Sequence, residues 1–211
     1  MIECVVFDLD GTLVNSHENI YKAAVKTLEK LNLSTNVDKE IFYNLLGHHF
    51  KVIFDGCNVY VPDVEQFIDE YKKLYFDFID ESSLYKNSKQ LLEFLHSKNV
   101  KTGLLTTKAQ DQAENICAHF GLTKYLDVIE GRKIGIPIKP APDQFFKICK
   151  EVNADPVNSL MVGDTELDIL CGKSAGAKTA VVAYGYRKLE ELKTYDPDYY
   201  INDLIEIKEI I

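Results

Sequence analysis

The amino-terminal segment constrains the fold more than any other part of the chain. Residues 2–8 read as one apolar strand, which ends in the polar turn DLDGT at residues 8–12. Strands with a nearly continuous apolar sequence are typical of parallel sheets that are covered on both faces. Functional side chains gather beyond the carboxyl ends of such strands. The sequence therefore predicts that the chemistry begins at the end of a buried first strand.

Similar strand-like segments recur along the chain and alternate with segments of helical length. The alternation predicts an α/β fold, with a parallel sheet and helices on both faces. The predicted strands are 102–106, 126–129, 159–162 and 178–182, with a short edge strand at 199–201 followed by a brief helix. Helix ends are predicted from Asn87 or Ser88 as an amino-terminal cap, from Gly121 after a helix, and from Pro142 in a first turn.

Between residues 17 and 83 the pattern is helical and shows no strand-like alternation. Apolar and aromatic side chains recur there at three-residue and four-residue spacing, which predicts helices packed around a core of their own. Shorter helices are expected at 38–46 and 50–54. The sequence thus predicts two domains, one formed by residues 1–15 and 84–211 and a helical insertion formed by residues 16–83.

Composition excludes several classes of protein. The net charge of -9 and the presence of only two arginines leave no broad basic surface, so nucleic acid is not expected as a partner. The apolar runs are strand-sized, and no secretory leader is recognised, so we expect a cytoplasmic protein outside the membrane. The five cysteines lack paired spacing and are expected to be buried apolar side chains rather than disulfides or zinc ligands.

Four separated segments follow predicted strands and should therefore meet at one edge of the sheet. Their acidic side chains would repel one another unless positive charge lay among them, and a divalent cation together with Lys139 would supply it. Oxygen ligands and an incomplete protein shell favour Mg²⁺. The candidate metal ligands are Asp8, Asp10 through its backbone carbonyl, Asp164, and Asp168, which either reaches the ion through water or orients Lys139.

These residues suggest a phosphoryl transfer in which the two carboxylates of the first turn divide the work. Asp8 is predicted to attack phosphorus and form an aspartyl phosphate, while Asp10 acts as general acid and then as general base. Thr106 and Lys139 are expected to stabilise the transferring group. Gly11 and Thr107 are candidate substrate-binding residues, and so are His48 and Lys51 in the insertion.

The same segments resemble the four motifs of the haloacid dehalogenase-like superfamily, in the family's order and through nearly the whole chain. They are VFDLDGTL at 6–13, Leu105 with Thr106, Lys139 with Pro140, and VGDT at 162–165 with Asp168. The resemblance implies a Rossmann-like core, a mobile all-helical cap domain inserted after the first motif, and the roles given above. The segments KPAPD at 139–143, AGAKT at 175–179 and YGY at 184–186 are most similar to the branch that resembles phosphoglycolate phosphatase.

Several alternatives remain open within this resemblance. The substrate could be phosphoglycolate, a nucleoside monophosphate, pyrophosphate or another small phosphorylated metabolite, and the protein could be a monomer or a homodimer. A sugar-phosphate mutase resembling β-phosphoglucomutase is disfavoured because the insertion contains no arginine for a second phosphate. The presence of Asp10 argues against a carbon-halogen hydrolase, and the full set of catalytic positions argues against a phosphate-binding protein without activity.

Overall fold

The structure is a computed structural model that describes residues 2–211. Contacts within the chain divide it into two compact units, which we call the sheet unit and the helical unit. The sheet unit extends to Val14 and resumes at Leu84, and the helical unit is Asn15–Ser83. Among the described residues, no helix combines the length and the apolar character needed to cross a bilayer.

The elements follow one another in the order that the alternation of patterns predicts. The strands are β1 (Cys4–Phe7), β2 (Val14–Asn15), β3 (Ser83–Leu84), β4 (Lys101–Ala109), β5 (Val128–Arg132), β6 (Ser159–Gly163), β7 (Lys178–Val182) and β8 (Tyr199–Ile201). The helices are α1 (His17–Lys30), α2 (Lys39–Asn44), α3 (Phe50–Gly56), α4 (Val64–Tyr75), α5 (Ser88–Ser97), α6 (Gln110–His119), α7 (Asp143–Val152), α8 (Glu166–Ser174) and α9 (Leu189–Lys193). Turns of 3-10 helix occupy Phe76–Glu81, Thr123–Tyr125, Pro156–Asn158 and Leu204–Glu209.

Six strands form one parallel sheet in the order β5-β4-β1-β6-β7-β8. The first strand lies inside this sheet, where Val6 pairs with Gly103 of β4 on one side and with Met161 of β6 on the other. After β1 the chain builds β4 and β5 on one side and then returns to build β6 on the opposite side. The order of the strands therefore reverses at β1, and ligands of open parallel sheets bind beyond the carboxyl ends at such a position.

The core explains why β1 can be apolar throughout. All four residues of β1 are buried, and Cys4 and Val6 pack with residues of α7 and α8 in one cluster. Gly103 permits close packing of α7 on β4, because a Cβ atom there would lie 2.6 Å from the Ile148 side chain. These features confirm the predicted α/β class, with helices covering both faces of a parallel sheet.

Most predicted boundaries differ by only a few residues, and each difference has a physical reason. β4 extends to Ala109, and β5 begins at Val128 and runs through Glu130. This acidic residue can lie within a buried strand because Lys133 and Lys147 neutralise it, with Lys133 Nζ at 3.0 Å. The edge strand Tyr199–Ile201 is found as predicted and is followed by 3-10 helix.

Two predicted helix caps are corrected. Asn87 precedes α5 in the left-handed region at φ 63°, and its side chain donates to the Asp203 carboxylate at 2.8 Å instead of capping the helix. Pro142 stands at the residue before α7 rather than in its first turn. Gly121 follows the end of α6 at φ 68°, as the prediction requires.

The helical unit has an aromatic core of its own. The rings of Phe54 and Phe67 pack edge to face with their centroids 4.7 Å apart, and the ring centroids of Phe50 and Tyr71 are 4.8 Å apart. Ring pairs at these separations stabilise a core beyond the area that they bury. The five cysteines of the chain are all buried and free, which confirms their predicted burial.

Candidate active site

Three buried aspartates lie together at the carboxyl edge of the sheet. Asp8 follows β1, Asp164 follows β6, and Asp168 lies in the first turn of α8. One carboxylate oxygen from each falls within 4.8 Å of the others. Residues 156 positions apart in the chain meet here because β1 and β6 are parallel neighbours.

Lys139 joins two of these carboxylates. Its ammonium lies 2.8 Å from Asp8 Oδ1 and 2.6 Å from Asp168 Oδ1, and only 3% of its side chain is exposed. Burial favours the neutral amine, but the two carboxylates outweigh that effect and raise the pKa of Lys139 above its ordinary value. The lysine therefore remains charged in the folded protein.

Asp168 has a structural reason to stay in place. Its Oδ2 accepts hydrogen bonds from the backbone N of Thr165 at 3.0 Å and from Thr165 Oγ1 at 2.7 Å. The first of these bonds, together with a bond from the Asp168 backbone to the Thr165 side chain, forms a capping box for α8. Asp164 lies before α8, which begins only after Thr165, so Asp164 and Asp168 do not lie on one helix face. One carboxylate oxygen of Asp168 accepts hydrogen bonds from Thr165, and the other contacts the Lys139 ammonium. Asp168 is therefore arranged to orient that lysine.

Asp164 is enclosed by backbone and small residues. Tyr186 N donates to its Oδ2 at 2.7 Å, and Thr12 Oγ1 lies 3.3 Å from its Oδ1. A Cβ atom on Gly11 would lie 2.2 Å from Asp164 Oδ2, and one on Gly185 would lie 2.1 Å from Asp164 Cβ. Gly11 also has φ 87°, so both space and backbone conformation require glycine there.

Burial raises the pKa values of the two strand-end aspartates. For Asp8 the raised value is about 7, with Lys139 lowering it and the neighbouring Asp168 and Asp10 adding to the rise. For Asp164 burial acts together with the charges of Asp8 and Asp168 to raise the pKa well above its usual range. Negative charge in this cluster thus exceeds what Lys139 neutralises.

The residues present fit a divalent cation. The three buried aspartates offer only oxygen donors, which hard cations such as Mg²⁺ and Ca²⁺ prefer. A cation among them would oppose both the burial and the repulsion that raise the pKa values of Asp8 and Asp164.

Comparison with known proteins places the chain in a family. A model of haloacid dehalogenase-like hydrolases matches residues 5–182, which is most of the sequence. The chain belongs to the haloacid dehalogenase-like hydrolase family. A pyrophosphatase PpaX from Halalkalibacterium halodurans is 31% identical to it, over 100% of this chain and 97% of that protein. A phosphoglycolate phosphatase from Aquifex aeolicus is also 31% identical, over 97% of this chain and 96% of that protein.

Solved structures show the same fold. A haloacid dehalogenase-like family hydrolase from Streptococcus pneumoniae superposes with a TM-score of 0.86 at 25% identity, covering 99% of this chain and 98% of that one.

In this haloacid dehalogenase-like hydrolase, a second cluster at the same sheet edge contains Asp10, Thr106 and Lys108. Lys108 Nζ is 3.2 Å from Asp10 Oδ2, and Lys108 N donates to Thr106 Oγ1 at 3.2 Å. The sequence prediction assigned no role to Lys108. Its position two residues after Thr106 places it at the same strand end, but no local pattern indicated its contact with Asp10. Thr107, half-buried, lies between them.

The two predicted substrate-binding residues of the hydrolase's helical unit lie close to each other in the chain. His48 is in the turn before α3, and Lys51 is in the first turn of that helix. Lys51 Nζ lies 2.7 Å from Asp55 Oδ2, and both of these side chains are exposed. A contact of His48 or Lys51 with substrate stays a prediction.

Proposed function

We propose that this hydrolase is a Mg²⁺-dependent phosphatase that cleaves a small phosphate ester through an aspartyl phosphate on Asp8. The observation that carries the proposal is the buried cluster of Asp8, Asp164 and Asp168 against Lys139. Such a cluster combines a nucleophile, oxygen donors for a cation and a fixed positive charge, which are the requirements of phosphoryl transfer.

In the first half-reaction, a carboxylate oxygen of Asp8 attacks phosphorus while the bond from phosphorus to the leaving oxygen breaks. Asp10 donates a proton to that leaving oxygen. In the second half-reaction, water attacks the same phosphorus, Asp10 accepts a proton from the water, and the Asp8 carboxylate is regenerated as inorganic phosphate forms. Because hydrolysis is divided into two displacements at the same phosphorus, one site can catalyse both of them.

Asp8, Asp164 and the backbone carbonyl of Asp10 are the residues that would hold Mg²⁺. The bound ion would keep the carboxylates ionised and offset the charge on the phosphoryl oxygens. The pairing of Lys139 with Asp8 and Asp168 supports a role beside the transferring group, with Asp168 as its positioning residue. The Thr106 hydroxyl would donate a hydrogen bond to a phosphoryl oxygen, and Gly11 and Thr107 would border the same group.

For the substrate we propose a small phosphorylated metabolite, with phosphoglycolate as the first candidate. The relative from Aquifex aeolicus that carries the name phosphoglycolate phosphatase supports it. Pyrophosphate is a second candidate because another relative is named pyrophosphatase PpaX. We further propose that residues 16–83 act as the cap and that His48 and Lys51 contact the leaving group.

The test is hydrolysis of p-nitrophenyl phosphate, phosphoglycolate and pyrophosphate with Mg²⁺ and with EDTA. We expect turnover only with the ion, and a loss of kcat of about a thousandfold or more in Asp8→Asn. Asp196→Asn is the matched control, because that side chain is 96% exposed and far from the cluster in sequence. Turnover in EDTA, or an active Asp8→Asn variant, would remove the proposed mechanism.

A further inference from the structure

Lys108 is a buried cation that the mechanism above does not use. It lies near the carboxyl end of β4, and only 6% of its side chain is exposed. Its ammonium is 3.2 Å from Asp10 Oδ2. The site thus contains two separate lysines. Lys139 forms an ion pair with Asp8, and Lys108 forms one with Asp10.

The backbone fixes Lys108 beside the catalytic threonine. The pairing of β4 with β5 shifts register between Leu105 and Ala109, so this strand end is irregular. Within the irregular stretch, Lys108 N donates to Thr106 Oγ1 at 3.2 Å. The ammonium is therefore positioned by the same strand end that carries Thr106.

The location of Lys108 relative to the reaction follows from the proposed role of Asp10. A general acid must come within hydrogen-bond distance of the leaving oxygen, so Lys108 Nζ would lie within about 6 Å of that oxygen. Because the side chains of Lys108 and Asp10 are only 6% and 13% exposed, a charge pair at this separation interacts more strongly there than in bulk solvent. Lys108 would therefore act on the leaving group, on the side of the reaction opposite to the nucleophile.

We propose that Lys108 is a specificity-determining residue that favours substrates whose leaving group carries a negative charge of its own. A carboxylate or a second phosphate beside the scissile bond fits this requirement, and a neutral alcohol does not. The inference rests on the proposed phosphatase function, and it specifies the charge that the leaving group of the substrate should carry. If Lys108 served only to hold Asp10, its removal would slow every substrate to a similar degree.

The experiment compares two esters of similar length, one with a charged tail and one with a neutral tail. Phosphoglycolate has a terminal carboxylate, and hydroxyethyl phosphate has a neutral hydroxymethyl group in the same place. We expect wild-type kcat/KM to favour phosphoglycolate by about tenfold or more, and this ratio to fall below about threefold in Lys108→Met. Lys108→Arg should restore most of the preference. Lys101→Met is the control, because it lies at the other end of β4 and should leave the ratio unchanged.

The outcomes separate the two proposals. An equal loss of kcat/KM for both esters in Lys108→Met would overturn the specificity role and leave a positioning role. Equal wild-type kcat/KM for the two esters would overturn it without any variant, even if Lys108→Met failed to fold. If wild-type protein hydrolysed neither ester nor p-nitrophenyl phosphate, the phosphatase proposal would fail and this inference with it. Hydrolysis of both esters without preference would leave the phosphatase proposal intact.

Discussion

The charge state of Asp8 depends on a balance between burial and the cations around it. Burial raises its pKa to about 7, although Lys139 opposes the shift. A cation beside the carboxylate would lower this value again, because it favours the ionised form. Asp8, the proposed nucleophile, is thus expected to be fully ionised at neutral pH only when the ion is bound.

This balance predicts how the stability of the metal-free protein changes with pH. Between the ordinary value of 3.8 and the raised value of about 7, the folded protein binds more protons at Asp8 than the unfolded chain does. The free energy of unfolding should therefore fall as pH rises through this interval. In EDTA, we expect Tm to drop by about 5 °C more in wild type than in Asp8→Asn between pH 5 and pH 7.5. An equal change of Tm between pH 5 and pH 7.5 in the two proteins would contradict the raised pKa of Asp8.

A second residue-scale prediction concerns Gly11. Replacement by alanine places a Cβ atom 2.2 Å from Asp164 Oδ2, so the carboxylate must move. We expect kcat in the Mg²⁺ assay to fall by about tenfold or more, because displaced ligands lose the alignment of the reacting groups.

Gly121→Ala is the matched control for Gly11→Ala. Gly121 also has positive φ, at 68°, but its surroundings are open within 4 Å. Each variant should lose about 1 kcal/mol of stability from backbone strain, which chemical denaturation would measure. Only Gly11→Ala should lose activity, and equal activity in both variants would show that Asp164 tolerates displacement.

At the scale of elements, the two edge strands of the sheet are anchored by the same arrangement. Asp127, just before β5, accepts a hydrogen bond from Thr102 N at 2.8 Å, and Asp198, just before β8, accepts one from Thr179 N at 2.9 Å. Each threonine follows a lysine that pairs with the same aspartate, at 3.3 Å for Lys101 and 3.4 Å for Lys178. The arrangement ties each edge strand to its inner neighbour at the end opposite to the active site.

This arrangement predicts a loss of stability without loss of activity in Asp198→Ala. The variant removes the acceptor for Thr179 N and Oγ1, and we expect a cost of about 1–2 kcal/mol. Burial opposes ionisation of Asp198, but the hydrogen bonds from Thr179 outweigh it and hold its pKa below the usual value. The difference from wild type should therefore be present at neutral pH and vanish as acid protonates Asp198. Denaturant titration measures it, with exposed Glu190→Ala as control; equal losses in the two variants would contradict the anchoring role.

Element order could be predicted from the sequence because apolar strands and amphipathic helices differ in period. Strand ends were harder, since β5 contains Glu130 and reads as polar until its partners Lys133 and Lys147 are known. Cap residues depend on contacts far along the chain. Asn87 has a side chain that can cap a helix, but this side chain donates its hydrogen bond to Asp203, 116 residues away.

The candidate site could be predicted because its residues occupy strand ends that the fold must bring together. Asp8 and Asp164 were predicted in this way, and Lys139, from the segment between β5 and α7, lies in the same cluster. The pairing of Lys108 with Asp10 could not be read from local pattern, because it depends on how β4 and the first turn pack.

For the whole molecule, we expect the cluster of Asp8, Asp164 and Asp168 to make stability depend on the ion. Only the folded chain gathers the three aspartates, so Mg²⁺ should bind the native state and raise Tm. At an ion concentration about 100 times Kd, the gain is about 2.7 kcal/mol, or roughly 5–10 °C. We expect thermal melts of Asp164→Asn to lose this shift and those of Asp196→Asn to keep it. An equal shift in both variants would indicate general ionic effects.

The division of the chain into units also has a consequence for how such proteins diversify. The helical unit begins and ends at β2 and β3, which pair with each other in a small two-stranded sheet. The main chain thus leaves the sheet unit and returns to it at neighbouring points. A segment of different length or sequence could therefore replace the helical unit without disturbing the strand order of the sheet unit, and with it the placement of the three buried aspartates.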